Sequence, residues 1–318
     1  MRIDPSLAAA KAGVKRELLD KIIADAKTTL YTARAKRVAP ARDEKILASW
    51  NGLMLRGIAT AARAFERDDF AKLAVRNAEF LFGQLVDNGR VMRSRSNGKQ
   101  IQGFLEDYAA VALGFISVYE LTFEKKWLER AQQIANSMVE WFWDDQLGAF
   151  FDTPRDAETL ITRPRDATDN AIPSGTSLAV DLMLTLAELT HDRDMVRRAT
   201  FVLETLATPL IRYPSAFGHM LGAADMAVNG AVEVAIAGVP AEKNFKALLH
   251  VLATHYVPSL VLAGGSEESG IALMEGRTAA HGKATAYVCR SYACEEPASD
   301  PQLFASQLAN AGRLTVQY

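Results

Sequence analysis

The chain has 318 residues, of which 49% are hydrophobic and 23% charged, and its formal net charge at pH 7 is −2. This balance is ordinary for a globular protein and, without a block of basic residues, it argues against nucleic acid or an anionic membrane as a partner. The lack of a secretory signal in residues 1–13, of an apolar run of ~18 residues and of a cysteine-rich framework predicts a cytoplasmic location.

Helices of two kinds alternate along residues 14–227. Their apolar residues recur with a period of about 3.6, which is typical of α-helices. Amphipathic helices with one charged face are predicted at Val14–Arg37, Phe70–Val86, Glu124–Trp143 and Asp194–Arg212. Helices with a wider apolar face are predicted at Ile46–Phe65, Ala109–Leu121, Thr176–Leu189 and Met220–Ala227.

Amphipathic helices suit an outer layer, and mostly apolar helices suit an inner layer. The sequence therefore predicts a mainly α fold, a partial (α/α)6 toroid built from about four helical hairpins. A closed toroid of this kind has about twelve helices and only about eight are predicted. We expect the ring to be open or to lack a part.

The pattern changes after Asn229. Short runs rich in β-branched or alternating apolar residues predict strands, and a helical pattern separates the first two. An Asp followed by Pro predicts the start of a last helix, because these residues favour its first two positions. The chain is thus divided into an α/α-toroid portion, 1–229, and a small β-α-β-β-α appendix, 230–318. The predicted appendix elements are Val232–Ala237, Ala241–Tyr256, Ser259–Ala263, Ala284–Cys289 and a helix from Asp300-Pro301.

Four polar loops lead into the apolar helices, and they contain residues 42–45, 103–108, 169–175 and 214–219. Neighbouring helices joined by short connections run antiparallel. All four loops are therefore predicted to lie at one end of the stack, where they can form one pocket.

Two acidic residues, Glu106 and Asp107, begin the second apolar helix, and Asp169 precedes the third. Carboxyl groups in a pocket can act as an acid, a base or a hydroxyl-binding group. The alternative is that they only cap helices, since acidic side chains at a helix start accept hydrogen bonds from free amides. Tyr108 follows them and is either a ligand-binding or a core residue.

Trp50 and Asn51 lie in the first apolar helix. An indole ring can stack on the apolar face of a sugar, and a neighbouring amide can hydrogen-bond to its hydroxyl groups. The alternative is that Trp50 is a core residue and that Asn51 bonds to nearby backbone.

The stretch 163–175 is the most polar loop. Arg163 and Arg165 could bind an anion or orient a substrate, and Asn170 could contact a ligand. Ser174 is expected to cap the following helix. The alternative is a structured turn held by its own Asp–Arg pairs.

Of the five histidines, only His219 lies in one of the four loops, where it could bind substrate. The sequence has no metal-binding histidine motif, P-loop, G-x-G-x-x-G or G-x-S-x-G pattern, so neither a metal nor a cofactor is predicted. Cys289 and Cys294 fit neither a C-x-x-C redox motif nor a zinc site, and a structural role is expected.

Several strings together resemble one family, the thioredoxin-domain-containing proteins related to spermatogenesis-associated protein 20. These strings lie at residues 43–54, 105–109, 142–151, 163–175 and 286–289, in order along nearly the whole chain. The resemblance implies a thioredoxin-like domain followed by an (α/α)6 barrel of the six-hairpin glycosidase type, similar to N-acylglucosamine and cellobiose 2-epimerases. The chain matches only the C-terminal portion, so we expect a fragment or one of two split pieces.

Two functions follow as hypotheses. The first is a carbohydrate-active domain, in which Glu106, Asp107 and Asp169 act as acid or base. The residues expected to bind the sugar are Trp50, Asn51, Tyr108, Arg163, Arg165, Asn170, Ser174 and His219. The second is a non-catalytic helical domain that completes a toroid with a protein partner or with the missing portion that bears the thioredoxin-like domain. An open ring would expose apolar inner surface, which favours such a partner.

Overall fold

A computed structural model describes residues 4–96, 99–158, 161–291 and 293–312. The chain forms two compact units, residues 1–44 and 45–318. The first contains helices α1 (Pro5–Lys11) and α2 (Arg16–Ala35). The Asp4 carboxylate starts α1 by accepting hydrogen bonds from the amides of Ser6 and Leu7.

The second unit is mainly helical, which confirms the predicted fold class. Its first seven helices alternate between a mostly apolar kind and a kind with one charged, exposed face, as the sequence predicts. These helices are α3 (Ala48–Ala64), α4 (Asp68–Leu85), α5 (Leu105–Thr122), α6 (Lys125–Phe142), α7 (Gly175–Thr190), α8 (Arg193–Arg212) and α9 (Gly218–Asn229). Helices α5 and α7 are almost wholly buried, whereas α3 and α9 keep an exposed face.

The mostly apolar helices, α3, α5, α7 and α9, lie side by side and form an inner row. Helix α5 packs between α3 and α7, and α7 packs between α5 and α9, while α4, α6 and α8 cover the outside. This arrangement is part of an α/α toroid. Helices α3 and α5 approach closely because Gly52 lacks a side chain: a Cβ there would lie 2.5 Å from the carbonyl carbon of Ala110.

The loops at the N-terminal ends of the inner helices contain short strands. One antiparallel sheet has the order β1-β3-β2, with β4 paired to β3, and a small hairpin pairs β5 with β6. The sequence-based predictions do not include these strands, because four of them have only two residues and the other two, β3 and β4, are mostly polar. Their bounds are β1 (Ile46–Leu47), β2 (Val86–Asp87), β3 (Arg90–Ser96), β4 (Lys99–Gln102), β5 (Trp143–Asp144) and β6 (Ala149–Phe150).

The C-terminal part is an α/β layer, as predicted, with one further strand. Its sheet has the order β10-β9-β7-β8, and only the pair β7–β8 is parallel. One face of the sheet packs on two helices, and the other faces the inner helices through β8. The elements are β7 (Val232–Ala237), α10 (Lys243–Ala253), β8 (Leu260–Gly265), β9 (Thr285–Arg290), β10 (Ala293–Cys294) and α11 (Pro301–Ala311).

Cys289 and Cys294 form a disulfide bond between β9 and β10. This bond is absent from the sequence-based predictions, since two cysteines five positions apart match none of the motifs considered. Within the described part of the chain, no helix combines the length and apolar character that crossing a membrane requires.

Candidate functional site

The Asp107 carboxylate joins the starts of two inner helices. Its Oδ1 accepts a hydrogen bond from the amide of Ser49 in α3, and its Oδ2 accepts one from the amide of Phe104, the N-cap of α5, both at 2.9 Å. Burial raises the pKa of Asp107, while the Phe104 amide and the Arg93 guanidinium act against this rise. The carboxylate thus satisfies amides that both helix ends would leave free.

Asp169 does the same for the next two inner helices. Its Oδ1 accepts from the amide of Ser174, the N-cap of α7, at 2.9 Å. Its Oδ2 accepts from the amides of His219 and Met220, in the first turn of α9, at 2.8 and 3.2 Å. The Ser174 hydroxyl caps α7 by accepting from the Ser177 amide at 3.0 Å. Two of the three predicted acid–base residues therefore occupy helix-capping positions.

A cleft of about 240 Å³ lies at the N-terminal ends of α5 and α7. Glu106, Asp152 and Asp166 supply three carboxyl groups to its wall, together with the amide of Asn170. Glu106 accepts a hydrogen bond from Arg93 at 2.8 Å. Burial, together with the charges of Asp166 and Glu106, raises the pKa of Asp152. The cleft therefore contains the predicted residues Glu106 and Asn170, with Ser174 at its edge.

The predicted sugar-stacking group lies elsewhere. The side chain of Trp50 on α3 is 61% exposed. The Asn51 side chain donates to the carbonyl of Leu47, one turn earlier, at 2.8 Å. Tyr108 is buried, and its ring meets that of Phe142 at a centroid distance of 4.9 Å. Tyr108 thus belongs to the packing between α5 and α6, and Asn51 belongs to the first turn of α3.

Arg163 and Arg165 both lie near the ring of the loop residue Phe151. Their guanidinium carbons are 4.0 and 5.8 Å from the centroid of its ring. Arg163 also donates to the carbonyl of Thr153. Burial, followed by the nearby charge of Arg155, lowers the pKa of Arg163. These contacts order the loop beside the cleft through cation–π attraction.

A larger cavity, about 690 Å³ in volume, lies between the inner helices and the segment that follows α10. Its apolar wall includes Leu113, Ile116 and Met226. Charged and hydroxyl-bearing side chains from all four inner helices also reach it. These polar residues are Arg56, Thr60, Arg63, Ser117, Glu120, Asp181, Thr185, His219 and Asp225, and Ser259 joins them from the segment before β8.

Three helices contribute one connected charged group to this cavity. The Asp181 Oδ2 on α7 lies 2.6 Å from a guanidinium nitrogen of Arg56 on α3 and 3.0 Å from His219 Nε2 on α9. Thr185 donates to the other oxygen at 3.3 Å. Burial alone would raise the pKa of Asp181, but Arg56 and His219 outweigh it and hold that pKa far below its usual range. The carboxylate is therefore ionised and fixes both partners.

A second charged pair lies two turns further along α3. Arg63 donates to Glu120 Oε2 on α5 at 3.0 Å, and the amide of Leu262 in β8 donates to Oε1 at 3.3 Å. Since Arg56 and Arg63 are seven residues apart, their Cα atoms are about 10 Å apart along one helix face. The cavity thus has two charged contact points rather than one.

Of these residues, the sequence-based predictions include only His219. The other charged residues of the cavity could have been identified by a charged residue inside a mostly apolar helix, as at Asp181 and Glu120. Such charges are buried only when they are paired. In the described ranges, no group of three or more His, Cys, Asp or Glu side chains is arranged to hold a metal ion.

The chain resembles curated proteins over nearly its whole length. It is 30% identical to human spermatogenesis-associated protein 20 over 319 residues, which covers 95% of the chain and 41% of that protein. It is 29% identical to the rat protein of the same name over 313 residues, covering 93% of the chain and 40% of that protein. The chain therefore spans about two-fifths of the length of these relatives. No known family model matches it.

Several solved structures superpose on about half of the chain. The GH76 α-mannanase BT2949 of Bacteroides thetaiotaomicron superposes with a TM-score of 0.44 at 16% identity, covering 55% of this chain and 47% of that one. Cellobiose 2-epimerase from Bacillus thermoamylovorans superposes with a TM-score of 0.44 at 14% identity, covering 52% and 45%.

Proposed function

We propose that the chain belongs to the spermatogenesis-associated protein 20 family and that it binds a small carbohydrate or related polyol in the 690 Å³ cavity between its inner helices. The observation that supports this proposal is the group Arg56–Asp181–His219, which three separate inner helices hold together at 2.6 and 3.0 Å. A concave site with a few convergent polar groups in an apolar wall is the usual form of a small-molecule site.

The chemistry of the wall suits a ligand with many hydroxyl groups. Each hydroxyl both donates and accepts hydrogen bonds. Arg56 and Arg63 supply donors, while Asp181 and Glu120 supply acceptors. The apolar side chains between them offer surface for the C–H faces of a sugar ring.

We assign His219 as the candidate acid–base group of this site. Imidazole exchanges protons near neutral pH. If the His219 Nε2–H donates to the ionised Asp181, the other ring nitrogen is left as an acceptor for a ligand proton. The carboxylate then orients the imidazole, as a buried acidic residue orients the catalytic histidine of many enzymes.

The cleft at the N-terminal ends of α5 and α7 is a second candidate place for the same ligand. The observation in its favour is the carboxyl group of Asp152, whose pKa is raised by burial and by its acidic neighbours. A carboxyl group with a raised pKa can act as a proton donor. Glu106, on the same wall, would be the second carboxyl group of the pair.

A panel of neutral mono- and disaccharides and polyols tests the proposal by isothermal titration and ligand-observed NMR. We expect saturable binding of at least one member at millimolar or lower concentration. The proposal fails if no member of the panel binds to the folded protein.

A second function, as an interaction domain, rests on a different observation. Trp50, Met54 and Phe65 are 61%, 62% and 71% exposed and share one face of α3. We propose that a further helical segment covers this face, either from a partner protein or from the portion with the thioredoxin-like domain that the family resemblance implies. Sedimentation velocity and dye binding test it: a monomer that binds no hydrophobic dye, and whose sedimentation is unchanged by Trp50→Ser, would rule this function out.

A further inference from the structure

The two cysteines of the chain differ in their access to solvent. Cys289 lies in β9 and is 2% exposed, whereas Cys294 lies in the short strand β10 and is exposed. The two residues are direct partners across the β9–β10 pair and are joined by the disulfide. A reagent from solution therefore meets the sulfur of Cys294 first.

The buried sulfur has a cation beside it. A guanidinium nitrogen of Arg277 lies 3.3 Å from the Cys289 Sγ and 3.1 Å from the Glu233 carboxylate. Arg277 also donates to the carbonyl of Leu273, which holds its side chain in place. Glu233 is the register partner of Cys289 in β7. One face of the sheet thus carries a row of Glu233, Cys289 and Cys294, with Arg277 against its middle member.

We propose that Cys289 and Cys294 form a thiol–disulfide exchange site, which a dithiol reductant opens by attack at Cys294 with Cys289 as the leaving thiolate. In the first step a thiolate of the reductant bonds to the Cys294 sulfur, and the Cys294–Cys289 bond breaks. The second thiolate of the reductant then attacks the reductant sulfur that is bonded to Cys294, this bond breaks, and Cys294 leaves as a thiolate. The Cys289 and Cys294 thiolates take up the two protons that the reductant thiols have lost. Two electrons pass to the chain, which becomes a dithiol, while the reductant becomes a disulfide.

The position of Arg277 favours Cys289 over Cys294 as the leaving thiolate. Exchange is faster when the departing thiol has a lower pKa, and a neighbouring positive charge lowers a thiol pKa. Arg277 is placed to stabilise negative charge on Cys289 rather than on Cys294. Glu233 works against this effect, because its negative charge both binds Arg277 and lies close to Cys289.

The fold allows the bond to open locally. Strand β9 pairs with β7 along six residue positions, whereas it pairs with β10 along two. The segment after β10 is also held to β9, by the Glu295 amide on the Val288 carbonyl and by the Ala286–Ala298 bridge. Breaking the disulfide therefore loosens β10 alone while β9 stays in the sheet. Exchange in the folded protein, without global unfolding, is the expected result.

Glutathione trapping in the native protein tests where the first attack occurs. The oxidised chain is mixed with reduced glutathione at pH 8, quenched with acid after short times, and mapped by peptide mass spectrometry. We expect the glutathione adduct on Cys294 at least about tenfold more often than on Cys289, given the burial difference. An adduct mainly on Cys289, or reduction only in denaturant, would overturn the proposal.

Three variants test the part played by charge, with dithiothreitol as reductant and thermal unfolding as the check of folding. Arg277→Gln should slow reduction about threefold or more, and Glu233→Gln should accelerate it. Arg290→Gln is the matched control, because it removes a guanidinium from the residue after Cys289, on the opposite face of β9. Equal rates for Arg277→Gln and Arg290→Gln, or a slower Glu233→Gln, would contradict the assignment of Cys289 as leaving group.

Discussion

The backbone amide of Ser49 donates a hydrogen bond to Asp107 Oδ1 at 2.9 Å, although the two residues are 58 positions apart. This bond ties the start of α3 to the start of α5. Asp169 ties α7 to α9 in the same way. The inner helices are therefore joined in pairs at one end by acidic side chains, and the same end carries the loops that border the smaller cleft.

Replacing Asp107 tests its capping role. In Asp107→Asn the amide nitrogen cannot accept, so one of the two backbone amides loses its partner inside the core. We expect the free energy of unfolding to fall by about 2 kcal/mol, measured by urea denaturation. Glu106→Gln is the control, since its partly exposed pair with Arg93 should change stability by less than about 1 kcal/mol. Equal stability of Asp107→Asn and the unmodified chain would contradict the capping role.

Two glycines in α3 make a matched pair. A Cβ at Gly52 would meet the Ala110 backbone at 2.5 Å, whereas no described atom lies within 4 Å of a Cβ built at Gly57. Gly52→Ala should therefore destabilise the protein by about 3 kcal/mol or prevent folding. Gly57→Ala should stabilise it by about 0.5–1 kcal/mol, because alanine favours a helix. Thermal unfolding of both variants measures the difference, and similar melting temperatures would disprove the close packing of α3 and α5.

Glu188 should make stability depend on pH near neutrality. Burial and the nearby carboxylate of Glu233 raise the pKa of Glu188 to about 7, above its unfolded value of 4.5. The folded state therefore binds the Glu188 proton more tightly than the unfolded chain does. The resulting contribution to the free energy of unfolding is fully present below pH 4.5 and is lost as the pH rises through about 7. The loss is at most about 3 kcal/mol.

Urea denaturation between pH 4.5 and 8 measures this effect. Glu188→Gln should flatten the dependence and be more stable than the unmodified chain at pH 8. If both proteins show the same slope over this window, the carboxyl group of Glu188 is not protonated in the folded state as proposed.

The helices and the C-terminal strands were predictable because their signals are local. A period of about 3.6 distinguishes α5 from α6 by the width of the apolar face, and Asp300-Pro301 marks the start of α11. Strands β3 and β4 could not be predicted in this way, because they are mostly polar and pair with each other and with two-residue strands of neighbouring segments. The disulfide depends on the pairing of Cys294 with Cys289 across β9 and β10, which spacing alone does not specify.

The site was harder to predict than the fold. The polar loops do lie at the N-terminal ends of the inner helices, but helix capping explains the contacts of Asp107, Asp169 and Ser174. The charged group at Arg56 and Asp181 depends on which helices become neighbours, and 125 positions separate these two residues. Periodicity gives the buried face of each helix but not its partner, so the pairing is a tertiary property.

The most direct test of the proposed function is the dissociation constant of the best-binding saccharide for two variants. Asp181→Asn weakens the hold on Arg56 and His219 in the large cavity, whereas Glu106→Gln alters the wall of the smaller cleft by the same chemical change. If the ligand binds between the inner helices, Asp181→Asn should raise the dissociation constant about tenfold or more, and Glu106→Gln should leave it within about twofold. Loss of binding in Glu106→Gln with unchanged binding in Asp181→Asn would contradict this account.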